Sequence, residues 1–199
     1  MNIIVAACKN KGIGIGNKLP WHLKNELNYF KNITVGKGNN AVVMGKNTWM
    51  DLNKCLPKRD NYVISRTLAI DFHFKRIHPQ KYRNINVLTH SERFYDLVKK
   101  DKYDEIFVIG GEKLYKGVIN NKLLNTIYYT NIHNDFNCDT FFPEIPPYFE
   151  KIYESETFSE KDVNYNFEIY SNIHNVVNFD FVEYEKNIYE EPDAIFSGF

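Results

Sequence analysis

Three stretches of this 199-residue chain carry residue types whose spacing could do chemistry. The first runs Gly12-Ile-Gly-Ile-Gly-Asn-Lys-Leu-Pro-Trp21 and leads into a segment whose one acid is Glu26. Leu23, Leu27 and Phe30 fall at i, i+4 and i+7, so they are read as the buried face of a helix, with Glu26 one position off its edge. A helical glutamate is ordinarily solvated. With aromatic flanks, this one could instead line an apolar cleft and govern a proton. The second stretch, Val42-Val-Met-Gly45-Lys46-Asn47-Thr48-Trp49, reads as buried strand, glycine, helix. Amides at that junction beside Lys46 suit a phosphate, although a tight turn with Trp49 as packing explains the pattern equally well. The third, Val108-Ile109-Gly110-Gly111-Glu112-Lys113-Leu114-Tyr115, repeats the arrangement, and its paired glycines let the backbone approach a ligand closely. The alternating Gly12, Gly14 and Gly16 invite a dinucleotide fingerprint, but Asn17 stands where a glycine is needed and Pro20 interrupts the helix. What remains is a flexible glycine-rich loop closed by Leu19-Pro20-Trp21.

Those residues need a scaffold that brings separated strand ends together. Short β-branched runs alternate with helical periods, giving expected strands at 2–8, 40–44, 60–65, 85–89, 105–110 and 126–132, and helices at 22–33, 46–53, 91–100 and 111–121. Ser91 is a suitable N-cap for the third helix, with Phe94, Leu97 and Val98 on one face. Residues 148–158 and 165–171 read as two consecutive strands, which adds an antiparallel C-terminal hairpin to a mostly parallel sheet. The expected class is therefore α/β: a single mostly parallel central sheet flanked by about four helices. Residues 66–84 are basic and aromatic without a clean period and read as an irregular connection with one short strand near Lys75 to His78.

Length and 43% hydrophobic content suit one domain with one sizeable core. Twenty-five basic and 25 acidic residues leave no excess to suggest a nucleic-acid binder. The charge is unevenly spread: residues 172–199 hold Asp180, Glu183, Glu185, Glu190, Glu191 and Asp193 against Lys186 alone, leaving the body cationic and suited to an anionic ligand. Six aromatics in that tail argue that part of it packs on something. Cys8, Cys55 and Cys138 have no metal or disulfide spacing and read as free thiols; no metal site is expected. Without a basic n-region or a run of roughly 20 apolar residues, the chain reads as a soluble, cytoplasmic protein with no membrane partner.

Together with Leu56-Pro57-Lys58-Arg59, Val63-Ile64-Ser65-Arg66-Thr67, Ile127-Tyr-Tyr-Thr130 and Cys138-Asp139-Thr-Phe-Phe142-Pro143, these stretches closely resemble the dihydrofolate reductase family, from about Ile3 to Ile169. The resemblance implies reduction of 7,8-dihydrofolate to 5,6,7,8-tetrahydrofolate with NADPH, in the service of thymidylate and one-carbon metabolism. It implies that Glu26 is the only ionisable group of the pterin pocket, promoting N5 protonation while C6 gains hydride, with Thr130 bonded to it and Leu19 and Trp21 completing the catalytic set.

Val5, Ala6, Leu27, Phe30, Leu52, Leu56 and Ile109 match apolar substrate positions, shared with Thr130. Arg59 matches the arginine that clamps the α-carboxylate of folate, a role for which a planar fork is suited. On the cofactor side, Lys46, Ser65 and Arg66 match positions that grip the 2′-phosphate, and Thr48 with Gly111, Glu112 and Lys113 those that hold the pyrophosphate. Ala7, Ile13, Gly14, Asn17 and Tyr115 match nicotinamide-side contacts, and Gly45, Asn47, Ile64, Gly110 and Leu114 complete the cofactor set. In this family the Gly110-Gly111 bond is cis, the Gly12 to Trp21 loop is a lid, and the match of Asp139 steadies it.

The resemblance further implies antifolate inhibitors as ligands. Residues 1–171 are expected to form the reductase domain and 172–199 an acidic, aromatic extension, a tail that could begin a linker to a thymidylate synthase domain or partner. Reductases of the same fold that act on other heterocycles, such as those of the riboflavin pathway, lack the helix carboxylate and the folate arginine. Glu26 and Arg59 are thus the discriminating residues.

Overall fold

The computed structural model describes residues 1–68, 85–89, 91–99 and 102–175, with side chains omitted at 91–93. The expected short strand near Lys75 to His78, most of the irregular connection and the tail beyond residue 175 lie outside the described residues, as does the side chain of Ser91.

Eleven strands and four helices are formed among the described residues. In order they are β1 Asn2–Cys8, β2 Gly12–Gly14, α1 Lys24–Val35, β3 Asn40–Gly45, α2 Lys46–Leu52, β4 Arg59–Ile64, β5 Ile85–Leu88, α3 Ser91–Lys99, β6 Ile106–Val108, α4 Glu112–Val118, β7 Thr126–Ile132, β8 Thr140–Phe141, β9 Phe149–Glu154, β10 Phe158–Glu160 and β11 Val163–Asn172. Nine strands share one sheet in the order β10-β11-β7-β1-β6-β3-β4-β5, with β9 also on β11. The ladders from β7 through β1, β6, β3 and β4 to β5 are parallel, and β11 joins β7 antiparallel. This is the expected mixed α/β sheet. No helix among the described residues is long and apolar enough to cross a membrane.

The central strands are apolar almost throughout because both faces are covered, and their side chains alternate between two cores. Ile3, Val5 and Ala7 of β1, Ala41 and Val43 of β3 and Ile106 and Val108 of β6 enter one core; Ile4, Cys8, Val42, Met44 and Phe107 enter the other. Each such buried aliphatic side chain contributes roughly 1.5–3 kcal/mol by leaving water. Phe94 is 1% exposed, and Leu97 and Val98 pack beside it, so α3 presents the expected face.

Three expectations are corrected. Helix α1 begins two residues later than its periodicity suggested, and its buried residues are Glu26, Tyr29, Ile33 and Thr34. Leu23 is buried and Phe30 half-buried, but Leu27 is 40% exposed. The cause is Tyr29, whose ring stacks on Phe167 of β11 at 3.9 Å and fixes the rotation of the helix about its axis.

The expected single strand 148–158 is two strands, β9 and β10. Between them the Ser155 hydroxyl accepts the Phe167 amide at 2.9 Å, and the ladder shifts register at Ile169/Tyr170. The glycine-rich loop is not free either: Gly12–Gly14 forms a small antiparallel sheet with Thr140–Phe141. A Cβ at Gly12 would collide with Cys138, so glycine is what permits this approach.

Candidate active site

Glu26 lies in the first turn of α1, against the end of the sheet where β1 and β7 run side by side. It is 6% exposed, and the hydroxyl of Thr130, itself 1% exposed on β7, donates to its Oε1 at 3.4 Å. Among the described residues no cation pairs with it. Burial pushes its carboxyl up to about 7, the Thr130 bond pulls the other way, and the charge of Glu160 adds to the rise. Near neutrality the group is therefore poised between acid and carboxylate. Nearby Tyr115, on α4, donates its hydroxyl to the Ile4 carbonyl at 2.9 Å, and burial raises its phenol well above the usual range.

Trp21, at the end of the glycine-rich loop, is 7% exposed, and its indole Nε1 is buried without a hydrogen-bond partner among the described residues. Such a donor costs free energy until something accepts from it. Leu19, two residues earlier, is 47% exposed. The structure brings Glu26 and Thr130 together, buries Trp21 in the same core as Leu23 and leaves Leu19 exposed.

Ala6, Phe30, Leu52, Leu56 and Ile109 are all half-buried and pack against the same core as Trp21 and Leu23. Five apolar side chains from β1, α1, α2 and the segments after α2 and β6 thus form a partly open wall. Val5 packs in the opposite core with Ile3, Ala7 and Tyr115, since neighbours on a strand point to opposite faces.

Arg59, the first residue of β4, is 9% exposed. Its Nε donates to the Pro57 carbonyl at 2.9 Å and its Nη1 to the Thr34 hydroxyl at 2.6 Å. No carboxylate among the described residues pairs with it, and burial lowers its guanidinium to about 10, so it stays charged at neutral pH. It lines a cavity of about 620 Å³ together with Leu56, Asn40, Asn61 and Tyr103. A buried cation with this geometry is preorganised for a carboxylate.

The two glycine junctions meet. The Gly45 amide donates to the Gly110 carbonyl at 2.7 Å, bringing the start of α2 beside the start of α4. Gly110 has φ 133°, the Gly110-Gly111 peptide is cis as the resemblance implied, and a Cβ at either glycine would meet Thr48 Oγ1 at 3.0 or 3.3 Å. To one side, Lys46 Nζ donates to Thr67 Oγ1 at 3.1 Å, and Ser65 Oγ lies 3.3 Å from the same hydroxyl. Ser65 is buried and Arg66 exposed; Ile64 is half-buried on the strand before them. Of the α4 residues, Glu112 pairs with Lys116, Lys113 is exposed, Leu114 is half-buried and Tyr115 is buried.

The glycine-rich loop is tied to its surroundings at several points. Gly14 is buried and Ile13 half-buried beside Ala7 in the same core; Gly16 N donates to Asp139 Oδ2 at 2.8 Å, and Asn47 Nδ2 donates to Asn17 Oδ1 at 2.8 Å. Between this loop and α2 lies a cavity of about 560 Å³ lined by Asn17, Asn47, Met50 and Asp51.

Two residues that the motifs do not mark enter this geometry: Thr34, which holds Arg59, and Glu160, whose carboxylate accepts from the amides of Lys24 and Asn25 at 2.7 and 3.1 Å. No periodicity could have found them, because each acts across elements.

A buried lone carboxylate beside an apolar wall, a buried arginine further along it and two abutting glycine turns can together bind an aromatic, acid-tailed substrate next to a phosphate-bearing one. The chain is 34% identical to a dihydrofolate reductase of Schistosoma mansoni, over 85% of this chain and 95% of that one, and 34% identical to a dihydrofolate reductase of Sus scrofa, over 85% and 96%. It is 29% identical to a bifunctional dihydrofolate reductase-thymidylate synthase of Daucus carota, over 88% of this chain and 34% of that one. The sequence pattern of the family described as Dihydrofolate reductase matches residues 1–172, and the chain belongs to this family of oxidoreductases.

Proposed function

We propose that the enzyme reduces 7,8-dihydrofolate to 5,6,7,8-tetrahydrofolate with NADPH, and that Glu26 governs the proton chemistry. The observation that carries the reading is Glu26 itself: a carboxyl 6% exposed, bonded by Thr130, unpaired by any described cation and poised near neutrality. A surface or ion-paired glutamate would have no such property.

The residues present fit the cofactor. Gly110 and Gly111 offer bare backbone where a side chain would press on Thr48, and Lys46, Arg66, Ser65 and Thr67 make a cationic, hydroxyl-rich group suited to a 2′-phosphate. Thr48 and the amides of Gly111, Glu112 and Lys113 would take the pyrophosphate, with Gly45, Asn47, Ile64, Gly110 and Leu114 beside it. Ala7, Ile13, Gly14, Asn17 and Tyr115 would surround the nicotinamide. When bound, a reduced nicotinamide supplies hydride to C6 of the pterin.

Glu26 then bonds the amide edge of the pterin, and as a carboxylate it favours the cationic, N5-protonated form that accepts hydride; the proton itself reaches N5 from solvent. Thr130 fixes the carboxyl's orientation. Ala6, Phe30, Leu52, Leu56 and Ile109 exclude water from the rings, which strengthens the bonds Glu26 makes. Arg59 takes the α-carboxylate at the far end, and the lid, held through Gly16 and Asn17, brings Leu19 and Trp21 over the reacting atoms.

Residues 1–171 are read as the reductase domain and the remainder as an appended segment that could meet a thymidylate synthase domain or partner. Three free thiols suit a reducing compartment and so a cytoplasmic enzyme; the place in one-carbon metabolism follows from the proposed reaction, which makes tetrahydrofolate. The deciding assay mixes protein, NADPH and dihydrofolate and follows reduced-nicotinamide absorbance. Loss of that absorbance at a rate proportional to enzyme is expected; folded protein that binds NADPH but leaves it unoxidised in the presence of dihydrofolate would refute the reading.

A further inference from the structure

We propose that Glu160 is a positioning residue of this site: from the tip of the β10–β11 hairpin it clamps the first turn of α1 and so sets where Glu26 sits and what charge faces it. The proposal rests on the reading of Glu26 given above.

The first amides of a helix have no partners within it and must find them elsewhere. In α1 the N-cap residue is Leu23, which makes no side-chain cap. Glu160 fills that role from 136 residues away, one carboxylate oxygen accepting from Lys24 N at 2.7 Å and the other from Asn25 N at 3.1 Å. Both are charge-assisted bonds at the positive end of the helix. Beside it, Lys161 Nζ donates to the His22 carbonyl at 3.4 Å, so the hairpin tip grips the chain on both sides of Leu23. Glu26 follows Asn25 directly, and a displacement of this turn displaces its carboxyl.

The hairpin can act as a clamp because it is itself fixed. Lys161 and Asp162 both take positive φ, 51° and 62°, closing a tight two-residue turn between Glu160 and Val163. Behind the turn, Phe158 packs on Tyr165 and Phe167 with ring centres 5.8 and 5.4 Å apart, and Phe167 stacks on Tyr29, one turn along α1 from Glu26. Hairpin and helix are joined at two points, the aromatic stack and the carboxylate cap.

The electrostatic side follows from the same placement. Among the described residues, the groups that interact with Glu26 are Thr130 on β7, Tyr115 on α4, Tyr165 on β11 and Glu160 on β10. Burial raises both phenols, that of Tyr165 to about 12, so they are neutral through the working range. The charge acting on Glu26 is that of Glu160, and it favours the protonated carboxyl.

The test uses the full chain with Glu160→Gln, Glu160→Asp, Glu26→Gln and the Glu26→Gln/Glu160→Gln pair, reading the hydride-transfer rate across pH, NADPH affinity and melting temperature. Glu160→Gln is expected to lower the rate about 3- to 10-fold by misplacing the carboxyl, to move the midpoint of the pH profile towards acid, and to leave NADPH affinity unchanged. Glu160→Asp, which keeps the charge, should keep the midpoint, and should serve if Glu160→Gln does not fold: a midpoint that moved in Glu160→Asp would count against the proposal. In the Glu26→Gln background, Glu160→Gln should change neither rate nor profile. A lower melting temperature with rate and midpoint unchanged, or an equal loss in the Glu26→Gln background, would overturn the clamp. Parent-level turnover in Glu26→Gln alone would instead overturn the reading of Glu26.

Discussion

The guanidinium of Arg59 is aimed by Thr34: Nη1 donates to the threonine hydroxyl at 2.6 Å in a buried contact that spans β4 and α1. The same hydroxyl donates to the Phe30 carbonyl at 2.6 Å, so the helix that carries Glu26 also orients the arginine. Both ends of the substrate would thus be read from one rigid element, with the spacing between them fixed by α1.

Thr34→Val keeps the shape and removes the hydroxyl. The Michaelis constant for dihydrofolate should rise roughly tenfold, the value of one hydrogen bond to a charged group, while that for NADPH stays put. Steady-state kinetics with each substrate varied in turn checks this; equal changes in both constants would mean a general disturbance of α1.

Arg59→Lys retains charge but loses the fork. Affinity for dihydrofolate should fall by about 10- to 100-fold, and binding of a pterin lacking the glutamate moiety should be unaffected. Titration of the two ligands by fluorescence separates a carboxylate clamp from a merely structural arginine.

Glu26→Gln should remove most turnover at neutral pH and stabilise the fold. Because the folded carboxyl is raised from 4.5 to about 7, the native state holds its proton more tightly than the unfolded chain. Stability is therefore fullest below the lower value and is lost as pH rises through the window between them. In the glutamine variant that loss disappears, worth up to about 3 kcal/mol above neutrality. Melting temperatures of the two proteins should diverge progressively across that window and run parallel above it; a constant difference at all pH values would contradict the assigned burial effect.

Asp139→Ala takes away the acceptor for Gly16 N, one of several polar anchors of the Gly12–Trp21 loop, which include Asn47 on Asn17 and Thr140 on the Gly14 carbonyl. Hydride transfer should slow several-fold with melting temperature nearly unchanged, since Asp139 is exposed. Stopped-flow measurement of the single-turnover rate is the check, and an unchanged rate would show that the lid needs no such anchor.

Gly110→Ala places a Cβ 3.0 Å from Thr48 Oγ1 at a residue with φ 133°. The strain should cost on the order of 1–3 kcal/mol and weaken NADPH more than dihydrofolate. Wild-type-like NADPH affinity would argue against a close backbone approach at this turn.

What the sequence determined by itself is whatever is encoded over a few neighbouring residues. Strands β1 and β7 occupy the expected 2–8 and 126–132, because a β-branched run flanked by polar residues has few other ways to bury itself. The glycine junctions at Gly45 and Gly110 were legible for a similar reason: glycine is demanded by local backbone shape, and Gly110 adopts a φ that other residues avoid. Tertiary structure alone decided the rotation of α1, where a stack between Tyr29 and Phe167 turned Leu27 outward, and the pinning of the glycine-rich loop by Thr140–Phe141. It alone decided that Thr34 holds Arg59 and that Glu160 caps α1, pairings that span 25 and 136 residues. Contacts between residues so far apart leave no period or spacing in the chain, and they come into being only when the sheet sets those elements side by side.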